Sequence, residues 1–142
     1  RDEKMKLQII EDESQKIEGF ETVMTSQYLN LDNIPSNSCE IIIAKQALDS
    51  TVNAEESLAK ICSKVRLGGS VVISGTELRC FFKNVVNGMI DEVSASVLVG
   101  KSLSLSTIDT VKNGLRALGF FVKSSTINGV SYEVTAERRP AG

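Results

Sequence analysis

The residues able to do chemistry in this chain are few, and histidine is absent altogether. Without an imidazole there is no Ser-His or Cys-His nucleophile arrangement, so acid/base work would fall to carboxylates, lysine or tyrosine. The densest carboxylates are Glu11-Asp12-Glu13, directly after the apolar run Leu7-Gln8-Ile9-Ile10. Three acids in a row read first as a hydrated loop, and as a functional feature they would form an atypical cofactor or cation site. Cys39, Cys62 and Cys80 are odd in number, lie far apart and make no C-x-x-C pair. That spacing points to reduced, buried thiols in a cytosolic compartment rather than to a zinc site or a disulfide framework. Gly68-Gly69 in "RLGGS" has the composition of a phosphate cradle, but it precedes a strand instead of joining a strand to a helix, which makes it a turn. "SGTELR" and the pair Lys45-Gln46 fall at strand ends, where open α/β folds hold ligands. Thr76 is equally placed to cap the helix that follows. Phe81, Phe82, Phe120 and Phe121 are expected to pack in the core or against helices, since no basic groove accompanies them as it would on a base-stacking platform, and any exposed members of the set would instead form an interface.

The elements that must position these groups follow from period and punctuation. Lys6–Ile10 reads as a strand, "EDESQKIEG" as a polar connection, and Phe20–Met24 as a second, alternating strand. After the turn-rich "NLDNIPSNS", the continuous β-branched run Ile41-Ile42-Ile43-Ala44 has the pattern of a strand buried on both faces of a parallel sheet. Asn53, with Glu56 three positions on, caps a helix running to about Arg66. "LGG" stops that helix and "SVVISG" is the next buried strand, which completes a βαβ unit with a right-handed crossover. Leu78, Phe81, Phe82, Val85, Met89 and Ile90 mark a helical face, while the pattern of "DEVSASVLVGKSLSLST" is irregular and leaves its first half undecided. Ser106 with Asp109 opens a last helix, and Gly119 stands where its C-terminal stop belongs. "FFVKSSTI" and "VSYEVTAE" flank an Asn128-Gly129 turn as a hairpin, and "RRPAG", residues 138–142, reads as a loose tail.

Size and composition bound the rest. At 142 residues, 42% apolar and 24% charged, the chain fits one globular domain over 1–142. A formal charge of −2 with scattered cations argues against a nucleic-acid surface. No apolar run approaches the ~20 residues of a membrane span, and no secretory h-region precedes the first strand, so a cytoplasmic setting is expected.

"LDNIPSNSCEIIIAKQALDSTVNAEESLAKICSKVRLGGSVVISGTE", Leu31 to Glu77, resembles the second half of class I S-adenosylmethionine-dependent methyltransferases. There "LPFPDNSFDLVIASHVLEH" precedes a helix and "VLKPGGRLVI", and "LRALGFFVKS" here is similar to that family's "LLEKAGF" helix with its paired last strands. The opening matches short members that begin "MKLHIGCG", a type associated with phage and bacterial cell-surface gene sets. The resemblance implies an α/β three-layer sandwich: a mostly parallel, Rossmann-like methyltransferase sheet, helices on its faces and a C-terminal antiparallel hairpin. It also implies where S-adenosylmethionine would sit if the site is retained: Ile10, Glu11, Asp12, Met24, Asp32, Asn33, Ala44, Lys45, Gln46 and Asp49. Several of these positions depart from the family. Its glycine loop, where bare backbone must approach the cofactor, falls on Ile10 and Asp12 with Glu11 between them. Its ribose-binding acid falls on Met24, and Ser50 replaces the histidine of "LEH", although Asp49 remains. The expectation is therefore a scaffold that has lost its cofactor, with no catalytic residue and no metal, serving as a binding or assembly module for a protein partner or for itself. Anamorsin's amino-terminal domain, with this fold and a degraded cofactor loop, is a parallel. The alternative is an active methyltransferase acting on a small molecule, glycan or protein.

Overall fold

A computed structural model of the protein describes residues 5–140. Its six strands are β1 Met5–Ile10, β2 Glu21–Met24, β3 Cys39–Lys45, β4 Val65–Thr76, β5 Phe120–Asn128 and β6 Ser131–Arg138. They form one sheet in the order β2-β1-β3-β4-β6-β5. β1 pairs in parallel with both β2 and β3, β3 pairs in parallel with β4, and the β5–β6 hairpin closes the far edge antiparallel to β4. The helices are α1 Ala54–Lys64, α2 Leu78–Val86, α3 Glu92–Lys101 and α4 Ile108–Ala117. This is the mixed α/β sheet with a terminal hairpin that the pattern predicts.

Register explains where the core lies. Leu7, Ile42, Val71 and Ala136 share one row across the sheet, and Ile9, Ala44, Ile73 and Val134 share the row two residues on. All eight are fully buried. They join Leu58, Ile61 and Cys62 of α1 and Val111 and Leu115 of α4 in one cluster, so both helices cover this face. Each large side chain removed from water there stabilises the fold by about 1.5–3 kcal/mol.

The opposite face is built differently. Its rows are Lys6, Ile41, Ser70, Glu137 and Gln8, Ile43, Val72, Thr135, and only Gln8 among them is fully buried. Parallel neighbours normally need a crossover of a dozen or more residues, usually helical. Here residues 11–20 suffice, with nothing more than a 3-10 turn at Glu13–Gln15. The Gln8 carboxamide makes this possible. It accepts from Ile17 N–H at 3.0 Å and donates to Ile17 O at 3.3 Å and to Thr22 Oγ1 at 2.8 Å, so the loop backbone is stitched to the sheet in place of a packed helix.

Several boundaries differ from the sequence expectation. β4 starts at Val65, directly after α1, and "RLGG" is a bulge within it: Cys39 pairs with Val65 but Ile41 with Ser70. Gly68 has φ +85, and a Cβ on Gly69 would stand 2.8 Å from Cys39 O, so glycine is what lets the bulge lie against β3. α2 is capped by the Glu77 side chain, not by Thr76, and α4 by Thr107, not Ser106. "DEVSASVLVGK" is helical as α3. Arg138 ends β6 and bonds Asn37 Oδ1 and Val65 O, and Arg139 lies 3.7 Å over the Phe121 ring, so these two residues are not a loose tail. Residues 141 and 142 lie outside the described residues.

Candidate functional site

In a doubly wound sheet the ligand crevice opens beyond the C-terminal strand ends, where the strand order reverses. That switch point falls between β1 and β3. Ile10, Met24, Lys45 and Thr76 are the last residues of β1 to β4 and form its rim.

The turn after β1 is closed on itself. Gln15 Oε1 accepts from Glu11 N–H at 3.0 Å and from Asp12 N–H at 3.1 Å. The Asp12 carboxylate accepts from Ser14 N–H at 3.0 Å, and Gln15 N–H bonds Asp12 O at 2.9 Å. This is a capping box on a three-residue helix. It uses the backbone donors that a ligand's anionic group would otherwise meet, and no α-helix follows to aim a dipole there.

The ten residues implicated by resemblance fall into three groups. Ile10, Ala44 and Asp49 are buried. Ile10 pairs with Met24 in the sheet, and Ala44 belongs to the core face under α1 and α4. Glu11, Asp12, Met24, Asp32 and Asn33 are exposed, Met24 at 40%. Asp32 and Asn33 sit on the connection whose Leu29, Leu31 and Ile34 anchor in the core; Lys60 of α1 donates to Leu29 O at 3.3 Å. Lys45 and Gln46 are half-buried at the rim, and Gln46 takes φ 60, a left-handed conformation costly for a residue with a Cβ.

Asp49 connects the rim to the interior. Its Oδ2 accepts from Thr76 N–H at 2.9 Å, holding the end of β4. Its Oδ1 and the hydroxyl of Tyr132 are both buried without a hydrogen-bond partner. A Cβ on Gly75 would stand 2.7 Å from the first and 3.0 Å from the second, so the bare backbone of Gly75 makes room for both. Burial pushes the Asp49 carboxyl up to about 6, against the lowering pull of the Thr76 bonds, and the charge of Glu11 adds to the rise. Burial also raises the Tyr132 hydroxyl, with the Asp49 and Glu77 charges in the same direction.

Beyond the rim, Glu77 is 1% exposed and holds the start of two helices. Its Oε1 accepts from Cys80 N–H and its Oε2 from Ile108 N–H, each at 2.9 Å. Burial pushes this carboxyl up, but the Ile108 and Cys80 donors outweigh it and the group titrates below its ordinary value. Cys39 and Cys62 are buried free thiols, and burial pushes Cys62 up to about 12, which makes it inert at neutral pH. Cys80 is only half-buried. Among the described residues no group of three or more His, Cys, Asp or Glu is placed to hold a metal ion, and no helix is long and apolar enough to cross a membrane.

Sequence reasoning missed Gln8, Gln15 and Glu77. For Gln15 the signal was present: Asp12-x-x-Gln15 has the same capping-box spacing as Asn53-x-x-Glu56.

The fold has counterparts among solved structures. A SAM-dependent methyltransferase from Thermotoga maritima, described as a possible histamine N-methyltransferase, superposes with a TM-score of 0.60 at 12% identity. The match covers 85% of this chain and 65% of that one, so this chain spans less than two thirds of its length. A SAM-dependent methyltransferase from Mesorhizobium loti gives 0.60 at 13% identity, over 92% of this chain and 78% of that one. An O-methyltransferase family protein from Burkholderia thailandensis gives 0.62 at 15% identity, over 87% and 37%. The chain has a class I methyltransferase-like fold. No protein-family model and no curated protein matches the sequence. At the rim the N–H groups of Glu11 and Asp12 are taken by Gln15 and that of Ser14 by Asp12, and β2 ends on the thioether of Met24.

Proposed function

We propose that the chain, as one domain over 1–142, is a non-catalytic binding or assembly module on a methyltransferase-like sheet, with S-adenosylmethionine binding lost. The observation that carries this reading is the self-closed turn after β1, in which Gln15 Oε1 takes the Glu11 and Asp12 N–H groups. Loss of a bidentate ribose carboxylate at Met24 removes about 1–3 kcal/mol more. A micromolar ligand is held by roughly 8 kcal/mol, so these deficits together move affinity to the millimolar range or beyond. The function is then carried by a protein partner or a second copy, with no nucleic acid or membrane involved, in a cytoplasmic setting.

One observation favours the other reading, a working methyltransferase for a small molecule, glycan or protein: the likeness to solved SAM-dependent methyltransferases extends over 85% or more of this chain. Thermal unfolding with and without millimolar S-adenosylmethionine separates the two. A ligand present at 100 times its dissociation constant stabilises the native state by ~2.7 kcal/mol, which raises the melting temperature by several degrees. We expect no rise. A rise of that size, or methyl transfer to any acceptor, would overturn the proposal.

A further inference from the structure

The chain leaves the rim after Glu77 and returns at Ser106, and the two ends of this excursion are tied together. Glu77 and Ser106 form a bridge, Leu78 N–H donates to Ser106 O at 3.0 Å, and the Glu77 carboxylate accepts from Cys80 N–H on one side and Ile108 N–H on the other. The returning segment is tied down once more. Leu103 and Ser104 N–H donate to Asp49 O at 2.8 and 3.1 Å, and Ser104 Oγ donates to Thr51 O at 2.6 Å. It thus lies against the loop of Asp49 and Thr51, which are 4% and 1% exposed.

Between these ties little holds the chain to the rest of the fold. Among the described residues from Leu78 to Lys101 only Phe81 is buried, and α3 buries none. Phe81 shares a groove with Val85 of α2 and with Ala95 and Val99 of α3, so the two helices pack on each other. Among the described residues, the hydrogen bonds of 81–101 stay inside 77–102: Asn84 Nδ2 donates to Cys80 O, Ile90 N–H to Asn84 O and Ser94 N–H to Asp91 Oδ1. By contrast, α1 packs on β4, and α4 on β5 and β6. Helices of nine and ten residues do not persist in water on propensity alone. A segment with few buried apolar groups and no hydrogen bonds to its surroundings opens before the core does.

We propose that α2 and α3 form a strap anchored at the rim that opens as one unit, freeing Leu103 and Ser104 from Asp49 and Thr51 while the sheet, α1 and α4 stay folded. The tie acts as a gate on the Asp49 loop, because its release gives solvent a path to two residues that the closed chain buries. This goes beyond the loss of cofactor binding and holds whether or not that loss is real.

Hydrogen exchange of the 142-residue chain, read residue by residue by NMR, tests it. The hydrogen-bonded amides of 82–101 should exchange together, roughly a hundredfold or more faster than those of Ile42, Ile73 and Val134 at the sheet centre. Ser104→Ala removes the bond to Thr51 O and should speed exchange across the strap about fivefold. Gly100→Ala, whose Cβ meets nothing within 4 Å, should slow it about fivefold by favouring the closed helix. Neither change should alter the three core amides. Strap amides as slow as the core, α2 and α3 exchanging at unrelated rates, strap rates that neither variant moves, or variants that shift core and strap alike would each overturn the proposal.

Discussion

Gln8 and Ile17 are joined through both ends of one carboxamide: Ile17 N–H donates to Oε1 at 3.0 Å, and Nε2 donates to Ile17 O at 3.3 Å. This pair replaces the helix that normally covers a parallel crossover. Gln8→Leu keeps the volume but leaves the Ile17 backbone and the Thr22 hydroxyl without their partner. Stability should fall by about 2 kcal/mol, seen as a lower urea midpoint at an unchanged slope. An unchanged midpoint would mean that the loop is held by something else.

Asp49 predicts an unusual acid limb. Burial lifts its folded carboxyl to about 6, above the ordinary 3.8. The folded state therefore holds this proton more tightly than the unfolded chain does. The corresponding stability is fully present below about pH 4 and is lost as pH rises to about 6. Asp49→Asn removes the titration, keeps an acceptor for Thr76 N–H and brings a donor toward the Tyr132 hydroxyl. At pH 7 the variant should be more stable than wild type by about 1–3 kcal/mol, with the difference vanishing near pH 4. Denaturant unfolding across that range measures it, and a destabilised variant at pH 7 would contradict the account.

Gly75 gives a geometric check on the same pair. Gly75→Ala would place its Cβ 2.7 Å from Asp49 Oδ1 and 3.0 Å from the Tyr132 hydroxyl. Overpacking of a fully enclosed site costs typically 1–3 kcal/mol. A lower melting temperature is expected, and partial rescue when Tyr132→Phe is added, because that change removes one of the two clashing oxygens. Gly75→Ala with wild-type stability would show that the two oxygens do not converge there.

Glu77 titrates in the opposite sense. Its folded value is held below the ordinary 4.5 by the Ile108 and Cys80 donors, against the upward push of burial. Its stabilisation is present above about pH 4.5 and is lost as pH falls through the folded value. Glu77→Gln can accept at only one end and turns an amide donor toward the other helix start, so the variant should lose about 1–3 kcal/mol at pH 7. Its stability should also fall less than that of wild type on acidification below pH 4.5. Equal pH profiles would contradict the double cap.

Much of this fold was legible because it is local or periodic. The β-branched run at Ile41–Ala44, the Asn53 cap, Gly119 with φ +91 and the Asn128-Gly129 turn each act through neighbouring residues. The parts missed depend on distant partners. Glu77 was passed over for Thr76 because only the fold brings Ile108 N–H to its second oxygen. Nothing around Gln8 in sequence says that it will stand in for a helix. Val65 looked helical because it continues the spacing of Leu58, Ile61 and Cys62, yet the pairing with Cys39 makes it the first residue of β4. At the site, the lack of glycine in Ile10-Glu11-Asp12 was plain from residue types, and the Asp12-x-x-Gln15 spacing that closes the turn is also in the sequence but reads there only as a polar connection.

The central claim is that the turn after β1 no longer receives an adenosyl ligand. Isothermal titration of the wild-type chain with S-adenosylmethionine and S-adenosylhomocysteine tests it most directly. The account predicts no saturable heat at sub-millimolar ligand for either compound. A dissociation constant in the low micromolar range, about 8 kcal/mol of binding, would contradict it.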